Sequence, residues 1–116
     1  MSSIDQLFAD LRRSGRKAFM PFITAGDPDV AATAAVLREL VARGSHLCEL
    51  GIPYSDPIAD GPVIQASFTR ALQRRLRLAE IFQAAAPLTS QLTMPLVTMV
   101  SYAIIHRQGL ERYVAQ

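Results

Sequence analysis

Cysteine is nearly absent: Cys48 is the one thiol in 116 residues. One thiol builds neither an internal disulfide framework nor a cysteine-rich metal site, and it suits a reducing compartment, so a cytoplasmic protein is expected. Histidine is almost as scarce, with His46 and His106 alone, and no spacing of potential ligands suggests a metal. Long apolar runs are missing too. None approaches the ~18 residues that a membrane-spanning helix needs. The polar start, Met1-Ser2-Ser3-Ile4-Asp5-Gln6, does not read as a signal peptide. Charge of one sign is also lacking. Against 10 Asp and Glu stand 12 Lys and Arg, a formal +2, too weak a field to imply nucleic acid. What is present is globular composition, with 50% hydrophobic and 19% charged residues.

Ser3 and Gln6 have capping-box spacing and predict a short helix with Ile4, Leu7, Phe8 and Leu11 on one face, stopped by Gly15. Ala18–Thr24 reads as a buried strand, against which Pro21 counts. Gly26-Asp27-Pro28-Asp29 is a turn that also caps a helix from about Val30 to Arg43. Val36, Leu37, Leu40 and Val41 form its stripe and Gly44 its stop. His46–Gly51 is a second strand. Pro62 suits the first turn of a helix through Val63, Ile64, Phe68 and Leu72. A further helix over about 78–86 is expected to end against Pro87, Pro95–Tyr102 reads as a third strand, and another helix is expected from Gln108. The basic cluster Arg70, Arg74, Arg75 and Arg77 reads as a solvated face, and both histidines as structural residues at element edges.

Strands separated by helices predict parallel pairing with helical crossovers. No repeat, low-complexity linker or internal domain boundary interrupts 1–116. Three parallel strands are few for a sheet that normally has both faces covered, and no capping residue follows Tyr113-Val114-Ala115-Gln116. The chain reads as cut off rather than finished.

Glu49 sits in an apolar strand, at the C-terminal end where open α/β sheets and barrels place their active sites. Alternation puts Leu47, Glu49 and Gly51 on one face, with Cys48 and Leu50 on the other. If the latter pair faces the helices, Glu49 points to the strand-bounded interior, where a carboxylate is costly unless solvated, paired or used. A rim glutamate held by a salt bridge is the plainer alternative. After the strand comes Pro53-Tyr54-Ser55-Asp56-Pro57-Ile58-Ala59-Asp60-Gly61-Pro62. Taken singly, Asp56 is a turn former and Asp60 a helix cap. Taken with Glu49, the pattern is one carboxylate on a rigid strand end and another on a loop, an arrangement suited to acid–base work.

The run from Glu49 through Gln65, ELGIPYSDPIADGPVIQ, closely resembles the signature of the tryptophan synthase alpha subunit family, and Pro21–Pro28 resembles that family's first strand and loop. The resemblance spans essentially the whole chain. It implies an α/β fold, an incomplete (β/α)8 TIM barrel made of an N-terminal helix and the first three parallel βα units, since full barrels take ~250 residues. It also implies a carbon–carbon lyase of tryptophan biosynthesis, which cleaves indole-3-glycerol phosphate to indole and glyceraldehyde 3-phosphate. On that resemblance Glu49 is the acid–base residue and Asp60 stabilises positive charge on the indole ring. Phe22, Val100 and Tyr102 are expected to form the apolar slot for the ring. Strand parity places Phe22 and Thr24 on one face, and Thr98, Val100 and Tyr102 on another that is expected to point inward with Glu49.

The resemblance further implies a beta-subunit partner in an alpha2-beta2 type complex. Pyridoxal phosphate belongs to that partner, and no cofactor to this chain. No Gly-rich phosphate cradle occurs in these residues; barrels of this kind hold phosphate on loops after strands seven and eight. The chain alone is therefore expected to be inactive. Two other readings stand beside this one: a freestanding indole-3-glycerol-phosphate lyase, and a non-catalytic piece that only binds a beta subunit.

Overall fold

Three short parallel strands, β1 (Phe22–Thr24), β2 (Cys48–Gly51) and β3 (Leu96–Met99), pair in the order β1-β2-β3 in a computed structural model that describes residues 1–116. Around them lie α1 (Ser3–Arg13), α2 (Val30–Ala42), α3 (Pro62–Gln73), α4 (Leu78–Thr89), α5 (Tyr102–Gln108) and α6 (Leu110–Val114). Each β-to-β connection carries a helix, as parallel pairing requires. No helix is long and apolar enough to cross a membrane.

Local chemistry explains most boundaries. The first helix is capped one residue earlier than the sequence spacing suggested. Ser2 Oγ accepts from Asp5 N–H while the Asp5 carboxylate accepts from Ser2 N–H. That backbone donor holds the Asp5 carboxyl below its ordinary range. Asp29 caps α2 by accepting from Ala32 N–H, and Gly44, at φ +81°, turns the chain out of it. Pro21 lies just before β1, where it spares the ladder. His46 has a structural role: its Nδ1 accepts from Phe19 N–H, and its own N–H donates to Phe19 C=O.

Two expectations change. Pro87 does not end α4, which continues to Thr89 and buries Leu88 in the core. Only two helical residues follow the proline, so burial of Leu88 outweighs the missing N–H donor. The third strand stops at Met99 rather than Tyr102, because Ser101 caps a new helix by accepting from Ala103 N–H. Gly109, at φ +89°, then separates α5 from α6.

The core occupies one side of the sheet. Cys48 packs with Leu37, Leu88 and Met94, and Leu50 with Ala25, Ile52 and Ile81. Side chains from α2 and α4 therefore cover the Cys48/Leu50 face of the central strand. Its opposite face is left to Glu49 and Gly51.

Candidate active site

Register decides which residues stand beside Glu49. In the ladder Phe22 is opposite Glu49 and Thr24 opposite Gly51. On the other side Glu49 is opposite Val97 and Gly51 opposite Met99. Partners side by side in a parallel pair point to the same face. Phe22, Glu49, Gly51, Val97 and Met99 thus share the face turned away from the Cys48/Leu50 core. The Phe22 ring confirms the direction, since a Cβ built on Gly51 would sit 2.8 Å from Phe22 Cε2.

Glu49 is half-buried, and its carboxylate takes part in none of the protein's ion pairs or hydrogen bonds; only its backbone C=O accepts, from Cys48 Sγ. The rim salt bridge that would have made it structural does not exist. Next to it, burial pushes the Cys48 thiol up to about 11, and the negative Glu49 adds to the shift. That thiol is a neutral core residue.

Asp60 stands at the end of the loop that leaves β2. It does not cap α3: the N-cap is Gly61, and no side chain bonds the helix start. The Asp60 backbone C=O accepts from Gln65 Nε2, while its carboxylate has no hydrogen-bond partner. Asp60, Asp56, Tyr54 and Ile58 wall a cleft of about 270 Å³ whose floor includes Phe68, Met99, Val100 and Ser101. The cleft opens beyond the C-terminal ends of β2 and β3.

On the third strand the expected parity is corrected at Thr98. Thr98 stands opposite Leu50, on the helix side. Val100 touches the cleft, but its side chain packs on the Ala25–Leu50–Ile52–Ile81 cluster. Tyr102 opens α5, is 67% exposed, and lies against His106 with ring centroids 6.1 Å apart. The parity was off by one because Leu96–Met99 carries no polar–apolar alternation from which to read a face. Val97 and Met99 hold the inward positions instead, and no sequence signal singled them out. Gly51 was also missed as more than a loop marker, although a glycine within a strand signals close approach.

The loop carrying Asp60 runs into α3, which is fastened to the first strand. Thr24 Oγ1 and Ser67 Oγ are 2.6 Å apart, and Ser67 donates to Ile64 C=O, so Thr24 is the donor between them. Arg70 Nε and Nη2 donate to the two Asp27 carboxylate oxygens at 3.1 and 2.7 Å. Glu49 does not itself line the cleft walled by Asp60; Met99, which shares its sheet face, does. A carboxylate with no fixed partner on a strand can exchange a proton with a bound molecule, and a second on the following loop can stabilise developing positive charge.

Residues 8–116 match the profile of the family described as Tryptophan synthase alpha chain. The chain belongs to that family. An alpha chain of Rhodopirellula baltica is 50% identical over 119 residues and one of Acaryochloris marina 47% identical over 116, each covering all of this chain and 43% of the relative. Among solved structures, tryptophan synthase subunit alpha of Legionella pneumophila superposes with a TM-score of 0.89 at 34% identity, over 94% of this chain and 42% of that one. A tryptophan synthase of M. tuberculosis in its aminoacrylate-bound form gives 0.91 at 29% identity, over 99% of this chain and 46% of that one. The chain spans less than half the length of the curated relatives it matches. Its helices and three parallel strands form part of the alpha-chain TIM barrel, whose active sites lie at the C-terminal ends of the strands. The Asp60 loop leaves β2 at that end, and Glu49 lies two residues before the end of the strand.

Proposed function

We propose that this chain carries the proton-transfer groups of an indole-3-glycerol phosphate lyase of tryptophan biosynthesis. The observation that carries the reading is Glu49: a carboxylate free of partners, on the central strand and facing away from the helix-side core. The bond to be broken joins indole C3 to the glycerol chain. Its electrons must remain on the ring, so C3 first takes a proton, which Glu49 supplies. The ring nitrogen then bears positive charge, and the Asp60 carboxylate accepts its N–H. The Glu49 carboxylate, having given up its proton, takes the one on the adjacent glycerol hydroxyl, and the carbon–carbon bond breaks, releasing indole and glyceraldehyde 3-phosphate and restoring both the ring and the acid.

Every step is proton transfer, and we assign no cofactor to this chain. Pyridoxal phosphate belongs to a beta subunit, with which the alpha chain assembles as an alpha2-beta2 complex that consumes the indole. Residues 1–116 are read as part of one barrel domain in a cytoplasmic protein. Phe22 and Val100 are the ring contacts we assign, Phe22 because it stands opposite Glu49 and Val100 because it lines the cleft with Asp60. By themselves residues 1–116 are expected to be inactive, because β1 and β3 each present an unpaired edge.

The test is Glu49→Gln in a full-length alpha chain bearing these residues. The amide keeps the shape of the acid but transfers no proton, so indole release should fall by at least about 100-fold with substrate binding retained. Turnover within a few-fold of the parent would assign the acid–base role elsewhere. Retention by an immobilised beta subunit supports the two-subunit form; full activity without one supports the freestanding lyase.

A further inference from the structure

The helix that follows Asp60 is held by the wrong end to be explained by its own start. Gly61 supplies no side-chain cap, Ile58 in the preceding loop is 86% exposed, and Val63 in the first turn is 80% exposed. Of the apolar residues in the first turn only Ile64 is even half-buried. The fastenings lie further along. Ser67, Phe68 and Ala71 are buried, Ser67 bonds Thr24 on β1, and Arg70 grips Asp27 in the loop after β1 with two parallel N–H donors. Phe68 also meets the Gly51 backbone region, its Cε1 being 3.2 Å from where a Cβ would stand.

We propose that Arg70, with Ser67, is a positioning residue that pins α3 to β1 through Asp27 and Thr24, and so sets where Asp60 stands over the sheet face bearing Glu49. The proposal rests on the lyase reading for its kinetic consequence. An α-helix is a stiff rod rising 1.5 Å per residue, so Pro62 lies about 12 Å from Arg70 along the axis. A tilt of about 5° around the anchor would move the Asp60 end by about 1 Å over that length. A displacement of that size can cost about 100-fold in rate. The fork geometry matters: guanidinium engages both carboxylate oxygens and resists rotation, whereas an ammonium is a point charge. The Arg70 side chain is 57% exposed against 16% for Asp27. Such a pair contributes little to overall stability, and its effect is on placement.

The experiment uses full-length alpha chain bearing these residues, with Arg70→Met, Arg70→Lys and Asp60→Asn alone and combined. Arg70→Met should lower kcat about 10- to 100-fold, with KM and Tm nearly unchanged. Arg70→Lys should recover only part of the loss. In the Asp60→Asn background Arg70→Met should cost less than about threefold, because a group acting through Asp60 has nothing left to position. Amide exchange across 54–61 should quicken in Arg70→Met irrespective of activity. An equal kcat loss with and without the Asp60 carboxylate, or unchanged exchange across that loop, would overturn the proposal. If the parent releases no indole, the lyase reading fails. The exchange result alone then decides the anchor, faster exchange supporting it and unchanged exchange overturning it.

Discussion

The ring of Phe22 lies across Gly51. A Cβ on Gly51 would stand 2.8 Å from Phe22 Cε2 and 3.2 Å from Phe68 Cε1, so two aromatic rings crowd this face of the strand and leave room for hydrogen alone. Glu49 is two residues earlier on the same face and directly opposite Phe22 in the ladder. The glycine therefore permits an aromatic ring to lie next to the candidate acid.

Gly51→Ala should destabilise a full-length alpha chain by about 1–3 kcal/mol through overpacking. Trimming Phe22 to Leu in the same chain should relieve part of that cost, because the crowding atoms belong to the ring. Urea unfolding of both single variants and the double variant checks the coupling; strict additivity would mean that Phe22 yields freely.

Asp60→Asn should lower indole release by about 10-fold or more by removing negative charge where the ring becomes positive, and leave Tm within about 1–2 °C. The second half follows from the cap position: Gly61, not Asp60, precedes α3, so no helix cap is lost. A drop in Tm of several degrees would show that the side chain supports the fold after all.

Met99→Ala should impair turnover or raise KM more than Tyr102→Ala does. Met99 shares the Glu49 face and borders the cleft, whereas the Tyr102 ring projects into solvent from α5. Steady-state kinetics of the two variants decide it, and the reverse ranking would show that the Tyr102 ring, not Met99, meets the substrate.

Cys48 should resist alkylation at about pH 8 in the folded protein and react promptly after unfolding, since burial holds its thiol neutral up to about 11. The folded-state value is raised above the ordinary 9.0. The stabilisation linked to the neutral thiol is then fully present below about pH 9 and is lost as the pH rises through about 11. Comparison of unfolding midpoints with Cys48→Ala across that window measures it; parallel curves would mean that the thiol does not titrate differently in the two states.

The alternation of strands and helices, the turn at Gly26–Asp29 and the place of Glu49 in the second strand could be read from the sequence. Each rests on neighbours a few residues away: glycine and proline punctuation, a cap, a helical stripe. The motif from Glu49 to Gln65 identified the family by the same local means. The end of the third strand was less legible, because Val100, Ser101 and Tyr102 suit a strand in isolation and only the Ser101 cap turns them into a helix start.

Tertiary structure alone decided two matters. It set which side of β3 meets Glu49, because Leu96, Val97, Thr98 and Met99 lack a decisive alternation and their facing follows from register against β2. It also brought Thr24 to Ser67 and Asp27 to Arg70 across 43 residues of chain. Sequence determines a local conformation through contacts between near neighbours. Whether a hydroxyl or a guanidinium finds its partner depends on how two separately formed elements pack, and that packing is settled by the buried surface they share.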